Sequence, residues 1–494
     1  MFQWLKHMIG RRLQSSGSET GAADVKPERP TLKHIIEEFE KCADLCHRSY
    51  PEIEVDLVYF PHLAGADDFD REVVQPLSNV SKDEVKALLA RSEYIESTDK
   101  KAVVKAILEG WCAVFHGRST YVVNVYNPET RAVEQSETET IIVGPHDAFV
   151  ESLSVNLSLI RRRLKSSQLK IERLSVGEVA KTDVCICYID GIANQDYVED
   201  MIERIKNIEV DAIHDGNMLI QHIDDSPNSL FPLFMTSERV DAAVSKLVAG
   251  RIIGVMDHSP SVISAPSAFF DFFSSPDDYY QRWPLATAVR LLRLVSFVIT
   301  ILMTSLYVSI TTYHYEMIPE ALLTTLTESR SRVPFPPVYE ALLMETTVEL
   351  LREAGARLPT KIGQTIGIVG GIVIGQASVQ AGFTSNVLII SVALSAIASF
   401  VIPSYVMSAS IRLVRFGLIL LAGLWGNFGL ILGLTLFVIH LSGLKSLKGA
   451  YLRPIAPFRF TDWKDVFVRG PFYLFKQRPS IARSPNPTRN RMRK

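Results

Sequence analysis

The stretch from Ile362 to Ile411, IGQTIGIVGGIVIGQASVQAGFTSNVLIISVALSAIASFVIPSYVMSASI, decides the fold class, because its 50 consecutive residues contain no Asp, Glu, Lys or Arg. A soluble domain has no need of such a run, whereas a bilayer needs about 20 apolar residues per helical span. Gly382-Phe-Thr-Ser-Asn386 divides it, so spans are expected near 362–381 and 387–402, with Pro403 ending the second. Upstream, 294–315 is another uncharged run of span length, and downstream 416–444 gives 29 residues, read as one tilted helix. Between the first and second spans, 316–361 carries seven Glu against five Lys/Arg and reads as interfacial or re-entrant helices. The expected membrane domain, 286–444, therefore has about four spans.

Charge sets the orientation. Arg282, Arg290 and Arg293 flank the start of the first span, and the tail 445–494 holds 13 Lys/Arg against two Asp. Both features place these flanks in the cytoplasm, the tail beside anionic lipid. Arg412 and Arg415 conflict with four simple spans, which would put them on the outer side.

The 494 residues average 47% hydrophobic and 21% charged, with a net charge of −2, which gives no general electrostatic ground for binding nucleic acid. That average hides a charged half preceding the membrane half. Residues 1–30 read as a flexible leader, amphipathic and then Ser/Gly/Ala-rich, without the features of a secretory signal. An N-terminal α/β subdomain is expected over 31–143, with helices at 31–48 and 82–89 and strands at 53–60, 119–126 and 137–143. A second α/β subdomain is expected over 144–285, with strands at 170–174, 183–189 and 251–256 and helices at 197–208 and 238–247. Five cysteines do not make a disulfide framework. Cys42 and Cys46 beside His47 look like half of a zinc site without a second pair at ligand spacing, so the thiols read as buried and reduced. No phosphate-binding loop, dinucleotide turn, nucleophile elbow or zinc-protease motif is present, so no catalytic, cofactor or metal residue is assigned.

Two ladders stand out. Gly363, Gly367, Gly371 and Gly375 recur every four residues, which leaves a groove for close helix approach, and Gln364 and Gln376 add polar groups at membrane depth. Ser391, Ser395 and Ser399 repeat the step on the next span. These positions fit packing within one subunit, or a pore or oligomer face. Glu345, Glu349 and Glu353 form the second ladder. With Arg352 and Arg357 within reach it fits a solvated, salt-bridged face, or, in a ring of subunits, a vestibule that concentrates cations. Arg161-Arg162-Arg163 fits a solvated helix end or an anion or partner site.

Several motifs in order resemble the GerA-type spore germination receptor A subunits. They include Gly144-Pro-His-Asp-Ala-Phe-Val-Glu151 with Leu159-Ile-Arg-Arg-Arg163, and Ala265-Pro266 through Phe269-Phe-Asp-Phe-Phe273 with Pro276-Asp-Asp-Tyr279. The membrane entry Arg290-Leu-Leu-Arg293, Val333-Pro-Phe-Pro-Pro337, Glu349-Leu-Leu-Arg-Glu-Ala-Gly355 and Ile362-Gly-Gln-Thr-Ile-Gly-Ile-Val-Gly370 continue the series. The resemblance covers 142–457. It implies a multi-pass protein of the inner spore membrane that works with a permease-like B subunit and a lipoprotein C subunit. It further implies a homo-oligomeric ring around an ion path that converts nutrient binding into the ion release that starts germination. The A-subunit-like protein associated with dipicolinic acid release shares much of this pattern. A secondary transporter is the alternative from another class, though no internal repeat is visible; a membrane-anchored enzyme is a further alternative, for which no catalytic constellation is found.

Overall fold

The computed structural model describes residues 29–128, 139, 143–359, 370–371 and 373–490. The chain divides into two compact units, one made of residues up to 40 together with 44–128, the other of residues 41–43 and everything from 129 onward. The first unit is a five-stranded sheet in the order β1-β2-β4-β5-β3, with β1 Cys46–Tyr50, β2 Val55–Tyr59, β3 Ile95–Glu96, β4 Cys112–His116 and β5 Ser119–Val123. Helices α1, Leu32–Glu38, and α2, Lys100–Leu108, are capped by the side chains of Thr31 and Asp99. The helix expected over 31–48 stops at Phe39, and Lys41 follows in the left-handed region at φ 61°. Local polarity allowed a longer helix, but β1 pairs with β2 and takes Cys46–Tyr50 into the sheet. The strand expected at 137–143 falls almost wholly outside the described residues.

The second unit begins with α3, Leu153–Arg163, and a sheet in the order β6-β7-β9-β10-β8. Its strands are β6 Leu169–Val176, β7 Thr182–Ile189, β8 Met235–Ser237, β9 Ile252–Met256 and β10 Val262–Ala265. All of their ladders are antiparallel. Helices α4, Gln195–Lys206, α5, Gly216–Ile223, and α6, Val240–Val248, accompany the sheet. Alternation along β7 sends Cys185 and Cys187 into one core with Leu157, Ile160 and Leu247, while Ile186 and Tyr188 join Met201 and Leu219 in another. Burial of both sheet faces explains why β9 and β10 read as continuous apolar runs. All five cysteines are free thiols, and only Cys46 is not buried.

The membrane half contains α7, Trp283–Tyr313, α8, Glu320–Arg330, α9, Pro337–Arg357, α10, Asn386–Phe400, and α11, Tyr405–Gly443. Residues 370–371 and 373–380 are also helical. Among the described residues, α7 and α11 are the helices long and apolar enough to cross a membrane, and α10 is a shorter apolar helix. Large apolar side chains such as Leu292, Val295, Ile390, Ile397, Leu420 and Ile431 point outward from this bundle. Such a belt suits lipid rather than water.

The run 416–444 is not one tilted helix. At 39 residues α11 would extend about 58 Å if straight, roughly twice a hydrocarbon core. It reverses at Gly426, where φ 58° and ψ −136° are open to glycine alone. Behind that turn the second arm packs on the first. A β-carbon built at Gly433 would stand 2.5 Å from Leu418 Cδ2, and one at Gly423 2.5 Å from Val338 Cγ2 on α9. Both free ends of the hairpin reach the same loop of the second subdomain: Ser410 Oγ donates to the Leu230 carbonyl, and His440 Nε2 lies 3.0 Å from Ser229 Oγ. The chain then returns to the subdomain, where the buried Tyr451 hydroxyl donates to the Pro232 carbonyl at 2.8 Å. A last helix, α12, Phe460–Val466, lies in the tail.

Candidate functional site

The chemistry of the bundle concentrates in one charged cluster among α7, α9, α10 and the first arm of α11. Arg415 and Glu345 are both fully buried, with Arg415 Nη2 2.6 Å from Glu345 Oε2. Thr304 Oγ1 donates to the other oxygen of Glu345 at 2.6 Å, and Arg415 also donates to Ser395 Oγ. One turn along α9, Glu349 lies 3.3 Å from Arg415 and 3.2 Å from Arg412. Arg412 donates to Ser408 Oγ at 2.8 Å, and Arg352 donates to Ser399 Oγ at 2.9 Å while lying over the Phe400 ring. Each charge thus has a counter-charge or a hydroxyl, as burial demands.

The cluster explains the arginine conflict. Arg412 and Arg415 sit on the arm that leaves the soluble subdomain, and the carboxylates of α9 neutralise them inside the bundle. The glutamate ladder is accordingly split. Glu345 is enclosed, Glu349 is part of the cluster, and Glu353 is exposed and, among the described residues, paired with Arg357 at 2.6 Å. Three glutamates face four arginines, so within one chain the ladder carries no surplus negative charge. Ser391, Ser395 and Ser399 are all buried, two of them bonded to arginines.

The glycine ladder lies elsewhere. Gly363, Gly367 and Gln364 fall outside the described residues. Among the described residues, nothing outside their own helix lies within 4 Å of where a β-carbon would stand at Gly371 or Gly375, and Gln376 is exposed. Gly370, which is off the ladder, is the glycine that packs, 2.8 Å from Leu351 by the same measure.

A second cluster joins the soluble subdomain to the membrane entry. Asp278, nearly fully buried, accepts from Arg290 Nε at 2.8 Å and from Arg293 Nη1 at 2.8 Å. The arginines expected to mark the cytoplasmic interface therefore also clamp α7 to the Pro276-Asp277-Asp278-Tyr279 turn. Next to it Arg239 grips Asp241 through two nitrogens and reaches Asp277 at 3.1 Å, and Tyr280 donates to Asp241 at 2.6 Å. In Arg161-Arg162-Arg163, Arg161 is buried and donates to the Ser166 carbonyl, and Arg163 holds Asp147. Periodicity pointed to the glutamates but not to their partners, which lie about 60 to 70 residues along the chain; the arginines' misfit with simple topology was the available signal.

The Bacillus/Clostridium GerA spore germination protein family model matches residues 33–481. The chain is 44% identical over 432 residues to spore germination protein GerQA of Bacillus cereus, covering 86% of this chain and 87% of that one. It is 39% identical over 482 residues to GerIA of the same species, covering 95% and 72%. It is 37% identical over 418 residues to spore germination protein A1 of Bacillus subtilis, covering 84% and 86%. The crystal structure of the N-terminal domain of the A subunit of the Bacillus megaterium spore germinant receptor GerK3 aligns with a TM-score of 0.39 at 22% identity, covering 50% of this chain and 99% of that one. With a family match over most of its length and relatives of this similarity, the chain belongs to the GerA family of spore germination proteins.

Proposed function

We propose that this chain is the A subunit of a nutrient-sensing germinant receptor of the inner spore membrane. In this reading it works with a permease-like B subunit and a lipoprotein C subunit, and several copies surround an ion path. The observation that carries the oligomer is the unoccupied glycine face. Gly371 and Gly375 permit close helix approach, and among the described residues nothing outside their own helix comes within 4 Å of where a β-carbon would stand, which supports a second copy as the occupant. Six arms, α7, α9, the run read in sequence as a span near 362–381, α10 and the two halves of α11, act as the membrane passes. Hydropathy alone gives fewer, because α9 hides its glutamates by pairing them and α11 folds back. An even number keeps the soluble subdomain and the tail on the cytoplasmic side.

For ion passage, Glu353 is the informative member of the ladder. Its pair with Arg357 is solvent-exposed, so losing it costs only about 0.3 to 0.5 kcal/mol. Stimulus-triggered potassium efflux from spores carrying Glu353→Gln or Glu353→Lys, at matched receptor levels, tests the vestibule. Slower efflux in the Gln variant and slower still in the Lys variant is expected. Wild-type efflux in the Lys variant removes the vestibule from the mechanism.

A further inference from the structure

The second unit holds a cavity of about 1550 Å³, bounded by the β8–β10 side of the second subdomain, the start of α11 and the tail. Its polar lining is unbalanced. Arg251, immediately before β9, is nearly fully buried, and its Nε has no hydrogen-bond partner among the described residues. Ser264 on β10 is equally buried, and its hydroxyl is likewise unpartnered. Lys246 on α6 is half-buried and makes no hydrogen bond or ion pair among the described residues. The three are close in the fold, since the Arg251 amide donates to the Lys246 carbonyl at 3.0 Å and Ser264 pairs with Ile253 across the sheet.

The nearby carboxylates are already engaged. Asp271 lies 2.8 Å from Arg251 Nη1 and accepts from the Ala268 amide at 2.7 Å. Asp465 on α12 accepts from the Tyr279 hydroxyl at 2.7 Å and lies 3.4 Å from Arg290. An ammonium, an incompletely bonded guanidinium and a hydroxyl unpartnered among the described residues thus line one cavity, whose carboxylates Glu139, Asp241, Asp271, Asp462 and Asp465 already accept hydrogen bonds from other groups. Charge-assisted donors of this kind bind oxyanions.

We propose that this cavity binds a small oxyanion, a phosphate or carboxylate group, through Lys246, Arg251 and Ser264. Arg290 ties the same neighbourhood to α7, so an occupant bears on the residues that hold the first membrane helix. Burial and the neighbouring Arg251 push the Lys246 ammonium down to about 8, against the pull of Asp271 and Asp465, with Arg290 adding to the push.

The test uses the full chain in lipid nanodiscs. Inorganic phosphate and malonate are titrated calorimetrically into protein in phosphatidylcholine discs, and thermal stability is compared with that in discs containing phosphatidylglycerol. Saturable binding of either anion is expected, weakened at least about tenfold by Lys246→Gln and less by Ser264→Ala. Stabilisation by phosphatidylglycerol that Lys246→Gln abolishes, with neither free anion binding, identifies a lipid headgroup as the source of the oxyanion. If neither anion binds and phosphatidylglycerol has no Lys246-dependent effect, or if binding is indifferent to both substitutions, the site is refuted. Ser264→Ala removes one hydroxyl and no charge, so it remains informative if the lysine variant folds poorly.

Discussion

At the residue scale the bundle depends on charges that cancel locally. Removing one member of a buried pair leaves the other uncompensated, typically at about 3 to 5 kcal/mol. Glu345→Gln is therefore expected to lower thermal stability in detergent, read by far-UV circular dichroism, while Glu345→Met combined with Arg415→Met recovers most of the loss. A double variant no better than the single would mean the two groups do not act as a pair. Lys246 provides the opposite case. Because its folded value, about 8, lies below the value of 10.5 for a free lysine, the unfolded chain binds more protons between these limits. Stability then rises with pH across that window, and the lysine costs stability below it. Lys246→Met should raise the melting temperature of the anion-free chain at pH 7, with the gain shrinking as pH passes about 8. An unchanged difference from pH 7 to 9.5 would show that the lysine is not held against its charge.

At the element scale, the uncharged runs 294–315 and 387–402 were readable because apolar stretches of that length form helices, and β7 was readable because its alternation is set by two cores. Less legible was where a run folds on itself. Twenty-nine uncharged residues sit between one span and two, and the deciding feature is a single backbone conformation at Gly426, marked in sequence only by the adjacent Asn427. Long-range pairing was equally hidden, since nothing local in Glu345 names Arg415. Two substitutions probe these elements. Gly426→Leu forces a side chain into a conformation reserved for glycine, beside Tyr313 and His314, whose atoms would stand 2.9 to 3.1 Å from its β-carbon. It should reduce the amount of folded protein recovered from membranes. Gly371→Leu meets open space among the described residues of one chain, so the monomer should melt as wild type while cross-linked oligomers diminish. Undiminished oligomers would assign that face to lipid.

At the scale of the whole molecule, topology follows from contacts rather than from counting hydrophobic runs. The soluble subdomain clamps the start of α7 through Asp278 and holds both free ends of the hairpin through the Ser229–Leu230 loop and the tail through Tyr451. In the proposed topology these places share one side of the membrane. The opposite end of the bundle is equally defined, because Tyr313 donates to the Gly423 carbonyl at 3.0 Å and the Asn427 amide donates to His314 at 3.3 Å. Single cysteines can read this arrangement if Cys46, the one native thiol that is not buried, is first changed to Ser. Val179→Cys, at a position 77% exposed in the soluble subdomain, and a cysteine appended after Lys494 should be labelled by a membrane-impermeant maleimide only after permeabilisation of right-side-out vesicles. Tyr315→Cys and Phe428→Cys, both exposed at the far end, should be labelled without it. A four-pass chain that treats 416–444 as one helix would put Phe428 within the bilayer, where the reagent does not reach. Labelling of Phe428→Cys in intact vesicles therefore separates the hairpin from the single tilted span, and protection of both far-end cysteines with exposure of the tail would reverse the orientation.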